Sequence, residues 1–186
     1  MVEIAIICLL PKEVNTYYRT LRKKLAENFG LQMNYDVPAH ITLKYGFPVE
    51  DLNEIEKVVE QFFLSSPITK WFLRDFGFFN NLDKYVVFID AIPAVDTRTT
   101  HSALLENLRK IQWVKWRQFD TSDLHYHVTL ASNGITSDNF ADVWSFTKQF
   151  EKPNFDVYLD NLAIFRIEKD PPFVHSLFHF PELRDR

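Results

Sequence analysis

The sequence predicts an α+β protein built as an internal duplication of a strand–helix–strand–helix–strand unit. Three observations carry that prediction. Two near-identical tetrapeptides, His40-Ile41-Thr42-Leu43 and His127-Val128-Thr129-Leu130, stand one in each half of the chain. Around both, apolar residues pass between the alternate spacing of strands and the three-to-four spacing of helices in the same order. Landmarks also match. Pro11 and Pro93 each follow an opening strand, Asp51 and Asp138 each stand 11 residues after a motif histidine, and Gln61-Phe62 answers Gln149-Phe150. Random placement of the 6 His, 11 Thr and 19 Leu would give only about 0.04 copies of H-x-T-L, so two copies are a signal.

The elements follow in order. Val2 to Leu10 is an apolar strand, and Pro11 then opens a helix at a position where proline is tolerated. Val14, Tyr17 or Tyr18, Leu21 and Leu25 share one face of that helix, which runs to Phe29, and Gly30 stops it. Arg19, Arg22, Lys23 and Lys24 read as its solvated face. The first motif strand spans Ala39 to Phe47. Asp51 caps a helix over Leu52 to Leu64, with Ile55, Val58, Val59 and Phe62 inward, and Ser65-Ser66-Pro67 breaks it. Strands follow over Lys70 to Asn80 and Tyr85 to Ile92, joined by a turn.

The pattern then restarts. A helix over Arg98 to Trp113 leads to the second motif strand at His127, Gly134 closes that strand, and a helix runs to Gln149-Phe150. Tyr158 to Phe165 matches the strand stretch Phe72 to Phe79. Phe79 and Phe165 stand 39 and 38 residues after their motif histidines. A final strand, 173–180, follows the Pro171-Pro172 corner. The two halves, about 1–82 and 83–168, read with that strand as one domain of two lobes. Each unit can hold its motif strand centrally in a small sheet with helices on one face.

At 186 residues, 46% apolar and with 18 Phe, the chain can bury a substantial core. A net charge of -4 argues against binding long nucleic acid, which needs a basic surface. The single cysteine, Cys8, precludes an internal disulfide framework, fits a reducing cytoplasm and reads as a buried structural thiol. Ile4 to Leu10 is too short to span a bilayer, and Glu3 before it is wrong for a secretory leader. No membrane partner is expected, and a monomer is.

In a strand, residues two apart share a face. His40 and Thr42 therefore face one side and Ile41 and Leu43 the other; His127 and Thr129 divide from Val128 and Leu130 in the same way. Each motif thus offers a proton carrier and a hydroxyl to one side. Two H-x-T motifs, one per half of a chain of this size, resemble the two-histidine (2H) phosphoesterase superfamily, which includes 2′-5′ RNA ligase-like proteins and cyclic nucleotide phosphodiesterases. The resemblance implies a pseudo-two-fold, two-lobed fold. Each lobe is then a small, mostly antiparallel sheet with helices on its outer face, and the active-site cleft lies between the lobes. It also implies that His40, Thr42, His127 and Thr129 are catalytic, with no metal or cofactor. Two histidines on opposite sides of a phosphodiester suit its displacement, one as base and one as acid, while threonine hydroxyls hold the phosphoryl oxygens.

Further residues are substrate-binding candidates. Lys44 shares the face of Thr42 by alternation and suits a phosphate contact, although its counterpart is Ala131. His125 shares the face of His127. Tyr45, Tyr126, Phe78 and Phe79 are able to stack a base, or to serve the core. His101 has no evident partner. Other readings stay open: a zinc site of His40, His125 and His127; a non-catalytic nucleotide- or RNA-end-binding module; and a 2′-5′ RNA ligase. The small residues Ala131-Ser132-Asn133 after the second motif, with the acidic charge, favour a small substrate: a 2′,3′-cyclic phosphate, a 2′-5′ oligonucleotide or a cyclic oligonucleotide.

Overall fold

In the computed structural model, which describes residues 2–167 and 172–179, the elements run β1 (Val2–Leu9), α1 (Lys12–Phe29), β2 (His40–Val49), α2 (Leu52–Ser65), β3 (Thr69–Asn81), β4 (Lys84–Pro93), α3 (Val95–Arg109), β5 (His127–Ala131), α4 (Phe140–Thr147), β6 (Phe155–Leu159), β7 (Asn161–Arg166) and β8 (Phe173–His179). Of the expected terminal features, Pro171 and Phe180 lie outside the described residues.

Helix ends follow the sequence signals. Gly30 takes the left-handed conformation, φ 63°, and its N–H donates to the Ala26 carbonyl at 2.8 Å. The Asp51 carboxylate accepts from the N–H groups of Asn53 and Glu54 at 2.9 and 3.3 Å. Asp138 does not repeat that role. The cap of α4 is Asn139, whose side chain is committed to the preceding loop: it accepts from the Thr136 N–H and donates to the Gly134 carbonyl. No helix among the described residues is long and apolar enough to cross a membrane.

Two antiparallel four-stranded sheets form, in the orders β2-β1-β7-β8 and β5-β4-β3-β6. The orders match under a pseudo-two-fold that exchanges β1 with β4 and β2 with β5. Both motif strands therefore lie at sheet edges, not centrally. The cause is local. Leu82 and Asp83, both at positive φ, make a two-residue hairpin turn that obliges β3 to pair with β4. The third strand of the first repeat thus joins the sheet of the second. Reciprocally, β7 pairs with β1. The expected continuous strand 158–165 is divided at Asp160 so that β6 and β7 serve different sheets. The Asn161 amide clasps the end of β1, accepting from the Leu9 N–H at 2.8 Å and donating to its carbonyl at 2.9 Å.

One core joins both sheets to the helices; Ile4, Ile6 and Cys8 of β1, Ile41 and Leu43 of β2 and Val14, Leu21 and Leu25 of α1 all belong to it. Burial pushes the Cys8 thiol far up, so it is inert. The opposite face of the first sheet carries a small apolar cluster of Ala5, Ile7, Ala163 and Phe165, and it is this face that His40 shares.

Candidate active site

The two motif strands approach each other across the space between the sheets. Register sets their faces: His40 and Thr42 lie opposite Leu9 and Ile7 of β1, and His127 and Thr129 lie opposite Asp90 and Phe88 of β4. Each motif histidine makes the same bond. The Nδ1–H of His40 donates to the Pro38 carbonyl at 2.8 Å, and that of His127 to the His125 carbonyl at 2.9 Å. A carbonyl only accepts, so both rings carry hydrogen on Nδ1 and keep Nε2 as the free lone pair.

The sequence offsets of Phe79 and Phe165 have a structural counterpart, with the partners crossed. Phe79 packs edge-on to His127, ring centroids 5.0 Å apart, and Phe88 meets the same imidazole at 5.1 Å. Phe165 meets His40 at 5.7 Å. Each histidine is thus braced by the third strand of the other repeat.

Burial holds both imidazoles below the ordinary histidine value. For His40 the Pro38 carbonyl opposes this, while His127 and Arg22 reinforce it. For His127 the His125 carbonyl opposes, a charge on His125 reinforces, and Asp90 opposes. The two motif histidines are therefore within electrostatic reach of each other. Among the described residues neither Thr42 nor Thr129 spends its hydroxyl on a side chain or carbonyl, so both remain available as donors.

A cavity of about 630 Å³ opens beside His127 and Thr129. Tyr45, Phe79 and His125 line it, as does Phe119, whose ring lies 5.9 Å from that of Tyr45. Five candidates are not among its lining residues: His40, Thr42, Lys44, Phe78 and Tyr126. Lys44 is fully buried, because a β-bulge breaks the alternation: Thr42 pairs with Ile7 but Lys44 with Ile6, so Leu43 is the extra residue and Lys44 turns to the core side. Its ammonium is spent on Asp120 at 2.8 Å and on the carbonyls of Lys115 and Tyr45. Tyr126 is also buried, against Trp71, with its hydroxyl on His101 at 2.7 Å. Phe78 packs on Phe140 and Trp144, away from the motif histidines.

Sequence reasoning did not find the parts that hold this site. His101 bonds through Nε2 to the carbonyl of the bulged Leu43 at 2.6 Å, and burial pushes it down to about 4, so it stays neutral. Asp120 accepts from the Tyr45 N–H at 3.1 Å on the other side of the bulge. Arg22 is not solvated. It is buried, donating to the Leu130 carbonyl at 3.1 Å and the Asn34 carbonyl at 2.8 Å, and so ties α1 to the second motif strand. Asp90 accepts from His125 Nε2 at 2.8 Å. The one available signal was Asp90 itself, a lone charge inside the apolar run Val86 to Ile92. Among the described residues no group of three or more His, Cys, Asp or Glu converges as a metal site, so His40, His125 and His127 do not form one.

The family described as the 2′-5′ RNA ligase superfamily matches residues 10–171. Among solved structures, TT0787 of Thermus thermophilus superposes with a TM-score of 0.67 at 17% identity, covering 95% of this chain and 97% of that one. A phosphoesterase superposes with a TM-score of 0.64 at 12% identity, covering 96% and 98%. LigT of E. coli, complexed with 3′-AMP, superposes with a TM-score of 0.58 at 12% identity, covering 97% and 98%. No curated protein matches the chain. At these identities the structural likenesses establish the fold.

Proposed function

The chain belongs to the 2′-5′ RNA ligase superfamily of two-histidine phosphoesterases, and from that premise we propose that it is a metal-independent phosphodiesterase acting on a 2′,3′-cyclic phosphate or 2′-5′ linkage of a small nucleotide or RNA end. The observation that carries the proposal is the matched pair of free imidazole Nε2 atoms, each set by an Nδ1–H bond to the carbonyl two residues before it and each accompanied by an uncommitted threonine hydroxyl.

A water or hydroxyl attacks phosphorus in line with the departing oxygen. One histidine takes the attacking proton and the other supplies a proton to the leaving oxygen, each step worth roughly 10²- to 10⁴-fold. Thr42 and Thr129 donate to the non-bridging oxygens as charge builds there. The cavity has the size of a small-ligand site. Its lining sets the aromatic rings of Tyr45, Phe79 and Phe119, which suit stacking of a base, beside the imidazole of His127 and the hydroxyl of Thr129, which suit a phosphate group. LigT was solved with 3′-AMP, and a nucleoside phosphate is the ligand proposed for this cavity as well.

The test is a panel of 2′,3′-cyclic nucleotides, 2′-5′ dinucleotides and cyclic dinucleotides incubated with protein in EDTA, with products followed by phosphorus NMR. Turnover in EDTA supports the reading and names the substrate class. Turnover only after metal is added, or tight binding of a panel member without turnover, overturns it. Sealing of RNA ends to a 2′-5′ linkage would place the chain on the reverse reaction.

A further inference from the structure

The cavity beside His127 is walled by aromatic rings, and among the described residues that line it Asp123 supplies the only carboxylate. That side chain is exposed, and its oxygens meet no hydrogen-bond donor among the described residues. Asp120, three residues earlier, is the opposite case. It is buried and spent on the Lys44 ammonium and on the N–H groups of Arg117 and Tyr45. Asp123 has no such task within the fold, yet its backbone is held in place. Its N–H donates to Thr121 Oγ1 at 3.0 Å, and the Arg98 guanidinium donates to the carbonyls on either side of it, those of Ser122 and Leu124. The loop fixes a residue whose side chain the protein itself does not use.

A carboxylate in a cavity that takes a nucleoside phosphate repels the phosphate, unless another part of the ligand brings donors to it. Base edges differ in what they bring. Guanine presents N1–H and N2–H side by side, a match for the two oxygens of one carboxylate, with O6 as an acceptor next to them. Adenine and cytosine set a ring-nitrogen lone pair beside their amino group, and uracil sets its one N–H between two carbonyls. Each of these three turns an acceptor toward the second carboxylate oxygen. The side-chain amide of Gln118 also lines the cavity, has no partner among the described residues, and is a donor for O6.

Building on the phosphodiesterase reading, we propose that Asp123 is a specificity-determining residue that reads the Watson–Crick edge of the base, so that the cavity takes a guanosine nucleotide in preference to the other three.

The chain geometry agrees. Asp123 stands four residues before His127, a span of at most about 14 Å, so a single nucleotide reaches both. Its phosphate lies at His127 and Thr129, its ring against the aromatic side chains, and its outer edge at Asp123. The contact with the base is made in the ground state and the transition state alike, so the preference falls on KM.

The experiment measures kcat and KM on the 2′,3′-cyclic phosphates of guanosine, inosine, adenosine, cytidine and uridine. The wild type is expected to favour guanosine over adenosine by about 10- to 100-fold, in KM and not in kcat. Inosine, which keeps N1–H and lacks the amino group, falls in between. In Asp123→Asn the amide oxygen and NH2 match the amino group and ring nitrogen of adenine, so the guanosine-to-adenosine ratio is expected to fall to about 1 or below. A ratio taken within one variant does not depend on how much of that variant is folded. Calorimetric titration of the wild type and of Asp123→Asn with guanosine and adenosine 3′-monophosphates is expected to give the same two ratios from binding alone. A wild type that treats guanosine and adenosine within about 3-fold of each other, or a guanosine preference that Asp123→Asn keeps, overturns the assignment and leaves the phosphodiesterase reading standing. No turnover of any cyclic phosphate in the panel overturns the phosphodiesterase reading, and the titrations then decide the assignment by themselves.

Discussion

Replacing Asp120 by alanine tests whether the buried polar network beneath the first motif strand holds the site. Asp120 and Lys44 form an ion pair at 2.8 Å, with both side chains fully shielded from solvent. At an effective dielectric of about 20 their attraction is roughly 6 kcal/mol, and desolvation of the two ions consumes most of it. The pair itself is near break-even, but removing one member strands the other. Asp120→Ala leaves the Lys44 ammonium with two carbonyl partners and no counter-charge, and it orphans the N–H groups of Tyr45 and Arg117. The expected cost is about 4 kcal/mol, a large share of the roughly 5–15 kcal/mol that hold a typical domain together. Adding Lys44→Met removes the stranded charge and should recover about 2 kcal/mol, a coupling expected of direct neighbours. Urea unfolding followed by tryptophan fluorescence and by far-UV circular dichroism measures the wild type, both single variants and the double variant. A cost below about 1 kcal/mol for Asp120→Ala, or strict additivity in the double variant, would show that the network does not hold the site. Because Asp120 also fixes the backbone of Tyr45 at the cavity wall, KM should rise in Asp120→Ala.

Three other outcomes follow from the geometry. Both motif histidines are held below 6.5 by burial, and the reaction needs one protonated and one neutral, so kcat/KM should be bell-shaped with its maximum between two pKa values that both lie below 6.5; a maximum above about 7.5 would contradict this. At the β3–β4 turn, Leu82 is 97% exposed and sits with Asp83 at positive φ; Leu82→Asn with Asp83→Gly should raise stability by about 1 kcal/mol, read as a higher denaturant midpoint at unchanged slope. A Cβ on Gly77 would collide with the Phe88 ring, which braces His127; Gly77→Ala should lower kcat about 10-fold or more through this displacement, with far-UV dichroism retained.

What the sequence reveals and what it hides divide along a physical line. Local signals were legible: Gly30 and Asp51 as helix ends, the two motifs, and the faces of His40, Thr42, His127 and Thr129, since side-chain alternation is a local rule. Long-range pairing was not. That β3 joins the sheet of the other repeat follows from a hairpin whose turn, Leu82-Asp83, lacks the usual Asn-Gly signal. The error at Lys44 has the same origin, because one extra residue at Leu43 reverses alternation and no glycine or proline announces it. Asp138 matched Asp51 in position, but capping depends on where the preceding loop spends its polar groups. Asp90, Asp120, His101 and Arg22 act across the fold on residues remote in sequence, so their roles are visible only once β2 and β5 face each other.

Whether the two H-x-T histidines act as one catalytic unit on a phosphodiester is decided by a double-mutant cycle. The wild type, His40→Ala, His127→Ala and the double variant are assayed on a 2′,3′-cyclic nucleotide in EDTA. Each single replacement is expected to lower kcat/KM by roughly 10²- to 10⁴-fold, and the double variant to be no more than about 10-fold worse than the poorer single, because a unit broken once has little left to lose. Turnover that survives both replacements, or losses that multiply independently, would contradict a shared catalytic unit.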